Sequence, residues 1–167
     1  MKTKTFKKVS LLFTTIILAL LVLSGCKQGN EFYTDYNEVA YNVFGEGYGT
    51  VDYKNIQKYV NVVLNEGNIN IEDSEELTEE VNNKILEFTR EIDGLGYKEV
   101  NITVNIEYED SFGNTYKDVG YKINYLQETI DKVNLEAVNG EDLPSIVDTY
   151  ELHPDIENYL DSLDEDE

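Results

Sequence analysis

Between Ile92 and Val100 the spacing of apolar residues changes from helical to extended, and this change constrains the fold more than any other feature of the chain. Before it, Leu77, Val81, Ile85, Phe88 and Ile92 recur at three- and four-residue steps, which places them on one stripe of a helix beginning at Ser74 or Glu75. Glu79, Glu80, Asn82, Asn83, Glu87 and Glu91 fall on the other side, and Gly94 and Gly96 supply a stop. Acidic residues at the helix start and Arg90 near its end complement the helix dipole. After the change, Val100, Ile102, Val104, Ile106 and Tyr108 alternate with Asn101, Thr103, Asn105, Glu107 and Glu109, so one face of a strand is apolar and the other polar. Gly113-Asn114 is a two-residue turn signal. Taken as the loop, it pairs Tyr108 with Val119, Ile106 with Tyr121, Val104 with Ile123 and Ile102 with Tyr125. On the polar face it pairs Asn105 with Lys122 and Thr103 with Asn124. A slip of one residue would send one apolar set to the wrong side.

The flanking segments are read in the same way. Phe32, Tyr36, Val39, Ala40 and Val43 keep helical spacing, with Asn30 as cap and Gly45 as stop. From Asp52 to Gly67 the positions of Ile56, Tyr59, Val60, Val63 and Leu64 predict a second helix. The β-branched cluster Val60, Val62, Val63 makes a strand the competing reading. Val133, Leu135 and Ala137 alternate and suggest a third strand completing a meander. Pro144 opens a helix carrying Ile146, Val147 and Tyr150, and Pro154 opens another carrying Ile156, Tyr159, Leu160 and Leu163. The expected fold is α+β, with amphipathic helices packed on a small antiparallel hairpin or meander sheet. Residues 32–163 form its single domain, and residues 164–167 an acidic tail.

Charge and composition narrow the function. The 167 residues carry 34 acidic and 13 basic side chains, and four of the lysines lie within the first eight positions. Nucleic-acid binding is disfavoured, because neutralising phosphates requires clustered Lys and Arg. One Cys and one His leave no disulfide framework and no Cys/His zinc site, and no cofactor is expected.

Lys2, Lys4, Lys7 and Lys8 precede an apolar run from Val9 to Leu23 that ends in Leu23-Ser24-Gly25-Cys26. As a helix the run would span about 22 Å, short of the ~30 Å hydrocarbon core, so a cleaved signal fits better than a membrane span. These residues resemble the signal and lipobox of bacterial membrane lipoprotein precursors. The resemblance covers residues 1–26 only, and the single Cys of the chain falls at its required position. It implies that residues 1–25 are removed by cleavage between Gly25 and Cys26. It further implies that Cys26 carries a diacylglyceryl thioether and that residues 26–31 tether the domain to the extracytoplasmic face of the cell membrane. Two acyl chains, each contributing ~0.8 kcal/mol per buried CH₂, suffice for stable anchoring. In the order helix-then-hairpin the rest of the chain is similar to cystatin-like and PepSY-like extracytoplasmic domains, a likeness of element order that carries no function.

Catalytic signals are weak. His153, next to Pro154 in an acidic stretch, reads as an exposed loop imidazole, and Ser145 sits in no nucleophile motif. Glu72 to Glu76 and Asp161 to Glu167 read as helix-start charges and a solvated tail rather than as calcium ligands. The 13 tyrosines are the least ordinary feature. Most are expected to fill the core in place of Trp and Phe, but Tyr33, Tyr41, Tyr48 and Tyr53 fall off the apolar stripes and are candidates for partner contact. The preferred function is a non-catalytic, lipid-anchored binding or accessory protein of the kind used in immunity, exclusion or envelope machinery, with a basic protein or peptide as partner. Two alternatives stand beside it: a small carboxylate-dependent envelope enzyme, and a precursor of a pheromone cut from Leu18 to Gly25 of the signal.

Overall fold

The computed structural model describes residues 31–109 and 114–164. The signal, the lipobox, Asn30 and Gly113 of the turn signal lie outside them. In chain order the elements are helix α1 (Glu31–Phe44), strands β1 (Gly49–Lys54) and β2 (Tyr59–Ile69), helix α2 (Ser74–Ile92), and strands β3 (Glu99–Glu109) and β4 (Thr115–Leu126). Short helices α3 (Gln127–Ile130) and α4 (Leu143–Ile146), strand β5 (Thr149–Leu152) and helix α5 (Pro154–Asp164) follow. The strands form one sheet in the order β1-β2-β3-β4-β5. The fold is α+β, as the sequence predicts, but the sheet is mixed: β2 and β3 run parallel while every other neighbour pair is antiparallel. A parallel pair needs a crossover connection, and α2 supplies it. Helix-then-hairpin therefore occurs twice, as α1-β1-β2 and as α2-β3-β4, joined along β2 and β3.

Helix α2 occupies the predicted span, with Val81, Ile85, Phe88 and Ile92 buried. Helix α1 also follows its predicted stripe, burying Tyr36 and Ala40. At its end Gly45 adopts φ +86° and its N–H donates to the Tyr41 carbonyl at 3.0 Å, which closes the helix with a left-handed residue.

The segment Asp52–Gly67 is not a helix. It supplies the end of β1, a turn and most of β2. The helical spacing there is coincidental: Ile56 sits fully exposed in the turn, while Val60, Val62 and Leu64 alternate inward and Tyr59 and Val63 point to the other face. The branched side chains fit a pleated surface better than a helix, where their χ1 freedom is lost against the preceding turn. Gly49, paired opposite Leu64, has φ +129°, and a Cβ there would lie 2.0 Å from the Val63 carbonyl oxygen, so only glycine fits.

The hairpin β3–β4 forms with a different register. Val104 pairs with Tyr121, Ile102 with Ile123 and Val100 with Tyr125, two residues from the predicted alignment. A shift of two preserves every face, which is why the apolar pattern cannot detect it. Beyond Val104 the ladder steps again: Asn105 pairs with Val119 and Gly120 is left over as a bulge. Ile106 packs on the bulge, and a Cβ at Gly120 would come within 2.6 Å of Ile106 Cγ2. The ladder closes at Glu109 and Thr115, leaving a five-residue connection in place of the two-residue loop.

The third strand is also displaced. Leu135–Ala137 is a single turn of 3₁₀ helix, and the strand beside β4 is β5, whose Tyr150 the sequence reading assigned to a helix. Arg90 accounts for the difference: its Nε and Nη2 donate to the Leu135 carbonyl at 3.0 and 2.8 Å, and Nη2 also donates to the Val138 carbonyl at 2.7 Å. These bonds hold the 135–138 segment against the end of α2 and away from the sheet edge. The helix opened by Pro144 ends at Ile146, and the one opened by Pro154 runs to Asp164 with Ile156 buried.

Candidate binding surface

The core face of the sheet is apolar and meets the helices; the opposite face is polar. Across it the register aligns Asp52, Asn61, Asn101, Asn124 and Thr149 in one row, one residue from each strand. The next row is Thr50, Val63, Thr103, Lys122 and Glu151. Asn124 Nδ2 donates to Asn101 Oδ1 at 2.8 Å and to Glu99 Oε1 at 2.9 Å, and Asn105 Nδ2 donates to Asn65 Oδ1 at 3.1 Å. Lys117 pairs with Glu107 at the hairpin end. These side chains are half-buried to exposed, and amide groups of this kind present both donors and acceptors to a partner. The sequence shows this surface only as alternation on one hairpin; the row across five strands depends on β1, β2 and the parallel pairing.

The tyrosines are distributed differently from the partner-contact expectation. Of the four singled out, Tyr41 is 56% exposed on α1. Tyr48 is half-buried, its ring 6.1 Å from that of Phe44. Tyr53 is buried on the core face of β1, its ring 4.7 Å from that of Tyr36. Tyr33 lies in α1, and its side chain is outside the described set. The structure therefore does not gather Tyr41, Tyr48 and Tyr53 into one exposed patch.

Tyrosines instead tie the sheet to α2. The hydroxyls of Tyr121 and Thr78 share a hydrogen bond of 3.0 Å, and those of Tyr125 and Thr89 one of 2.8 Å. Tyr150 donates to Asn82 Oδ1 at 2.9 Å. Thr89 and Asn82 are buried, so each bond satisfies a polar group that would otherwise be costly. Burial raises the pKa of all three phenols, with that of Tyr150 pushed up to about 12. Asn82, assigned to the water-facing side of α2 from the sequence alone, is thus a core residue. Its polarity hid it.

His153 follows β5 and is mostly covered, with its side chain 15% exposed, rather than lying in an open loop. Its backbone N–H donates to the Gly120 carbonyl at 2.7 Å, so the bulge fixes its position. Nδ1 accepts from the backbone N–H of Asp155 at 3.3 Å, Nε2 lies 3.7 Å from Asp118, and the ring is 5.4 Å from that of Tyr108. Among the described residues, both ring nitrogens thus face backbone and carboxylate rather than a hydroxyl nucleophile. Among the described residues no group of three or more His, Cys, Asp or Glu side chains is placed to hold a metal ion, and no helix is long and apolar enough to cross a membrane. Gly25 and Cys26, the cleavage and lipidation positions, are outside the described residues.

No protein-family model, no curated protein and no solved structure matches this chain.

Proposed function

We propose that the chain is a bacterial membrane lipoprotein, anchored through Cys26 on the extracytoplasmic face of the cell membrane, and that its domain binds a protein partner without catalysing a reaction. The observation that carries this reading is Leu23-Ser24-Gly25-Cys26 behind four lysines and a 15-residue apolar run, with the only cysteine of the chain at the lipobox position. The binding role is supported by the polar sheet face and by an acidic surface with no Lys or Arg after Lys132, which favours a basic partner. Among the described residues, none makes the base-to-nucleophile contact with His153 that acyl-transfer chemistry uses.

Fractionation of cells expressing the wild-type chain and Cys26→Ser tests the anchor. The wild type is expected in the membrane fraction at processed mass, and the variant unprocessed and unlabelled by a fatty-acid analogue. Equal labelling of both would refute lipidation at Cys26. A crosslinked pull-down from those membranes at low salt is expected to recover a basic protein, and recovery of none would refute the binding role.

A further inference from the structure

The chain contains a single Asn-Gly pair, Asn139-Gly140, and the fold both selects the glycine and restrains its chemistry. Asn139 caps the one-turn 3₁₀ helix Gly140–Asp142: its Oδ1 accepts from the Glu141 N–H at 2.9 Å, and its own N–H donates to Asp142 Oδ2 at 3.0 Å. Gly140 is buried against α2, where its N–H donates to Asn83 Oδ1 at 3.0 Å. A Cβ at Gly140 would lie 2.6 Å from that oxygen and 3.0 Å from the Asn83 backbone nitrogen, so any larger residue would push Asn83 aside and break the bond. Packing on the helix thus calls for glycine. Asparagine followed by glycine is the pair most open to attack by the next peptide nitrogen, because no side chain shields that nitrogen. Asn139 itself is exposed, so water reaches it.

We infer that Asn139 is a latent site of succinimide formation and deamidation, held shut by the Asn83 and Asp142 contacts and released when the 135–142 segment leaves α2. In the open chain the Gly140 nitrogen gives up its proton and bonds to Asn139 Cγ; the Cγ–Nδ2 bond breaks, and Nδ2 departs as ammonia carrying that proton. Water then opens the five-membered ring at either carbonyl and leaves aspartate or isoaspartate. In the closed chain three contacts oppose the first step. The Gly140 proton is held on an amide oxygen too weakly basic to take it. The bond from Glu141 fixes the Asn139 side chain, so Cγ cannot swing onto the nitrogen. The Asp142 carboxylate, bound one peptide away, disfavours an anionic nitrogen. Isoaspartate adds a methylene to the backbone and takes Gly140 out of line with Asn83, so a chain that has opened and reacted does not close again. The reaction needs water alone, and neither the anchor nor a partner bears on it.

The test incubates the full chain in detergent micelles at mildly alkaline pH, native or in guanidinium chloride. Mass spectrometry then follows the peptide containing Asn139 for the gain of one mass unit and for the isoaspartate isomer. The unfolded chain is expected to deamidate there at least about tenfold faster than the native one, the ratio reporting how rarely the segment opens. Asn83→Ala, at an exposed position of α2, removes the acceptor and is expected to react about three- to fivefold faster than the wild type while circular dichroism shows the fold retained. Asn83→Asp keeps an acceptor oxygen and is expected to react no faster than the wild type. Equal rates in native and unfolded protein, an Asn83→Ala rate equal to that of the wild type, or acceleration by Asn83→Asp as large as by Asn83→Ala would each overturn the assignment.

Discussion

Thr89 and Tyr125 set the terms on which a tyrosine can replace a phenylalanine in this core. Both are buried, so their shared hydrogen bond decides whether the phenol oxygen is a benefit or a cost. Thr89→Val keeps the shape but leaves the Tyr125 hydroxyl unanswered, and is expected to cost about 1–3 kcal/mol of unfolding free energy. Thr89 can also donate to the Ile85 carbonyl at 2.8 Å, so Tyr125→Phe strands less and is expected to cost less. Urea denaturation of the two single variants and the double variant checks this: the double is predicted to be more stable than Thr89→Val alone. Simple addition of the two losses would show that the bond contributes nothing. The same chemistry sets a limit on pH. Tyr121, Tyr125 and Tyr150 have folded pKa values raised above the ordinary value by burial, so between pH 10 and about 12 the unfolded chain loses protons that the folded one keeps. Stability from these phenols is therefore complete below pH 10 and falls above it, by about 1.4 kcal/mol per pH unit for each. Phenolate absorbance recorded beside circular dichroism is predicted to show the buried tyrosines ionising only as the domain unfolds. Their full ionisation with the fold intact would contradict this.

The elements show which patterns determine structure and which only permit it. Arg90 illustrates a role that spacing cannot convey: the sequence places it near a helix end, while the fold directs its planar fork at two carbonyls more than forty residues away. Lys lacks that fork, so Arg90→Lys is expected to destabilise by about 1.5–3 kcal/mol and to speed amide exchange in the 133–138 segment. Unchanged exchange there would mean that the segment is held by other contacts. The stripe of α2 was fully legible because five apolar residues, acidic capping charges and two glycines agree. The β1–β2 hairpin was not, because five residues divided between a turn and two strand faces happened to fall at helical intervals. From Val100 to Val104 the register of β3 with β4 was legible only to within an even number of residues, since faces repeat every two. Beyond it the bulge at Gly120, which leaves no apolar signature, makes the offset three, so that Ile106 pairs with Asp118 and Tyr108 with Tyr116. Strand β5 has four residues, too few for a period, and its place depends on pairing with β4. The polar face inherits these difficulties, because its asparagines Asn61, Asn101 and Asn124 align only after two separate pairings have formed.

For the whole molecule the decisive asymmetry is between its two ends. Positive charge is concentrated ahead of the apolar run, while the chain after Lys132 has none and ends in Asp164-Glu165-Asp166-Glu167. A domain of this charge, net −21 for the full chain, is repelled by anionic lipid, so an attachment independent of its surface is needed to keep it at a membrane. Under the proposed function, two acyl chains on Cys26 would supply one. Mass spectrometry of the N-terminal peptide from membrane-extracted protein tests this most directly. The account predicts that the peptide begins at Cys26 and carries the added mass of a diacylglyceryl group on sulfur; a peptide beginning at Met1, or an unmodified cysteine, would contradict it.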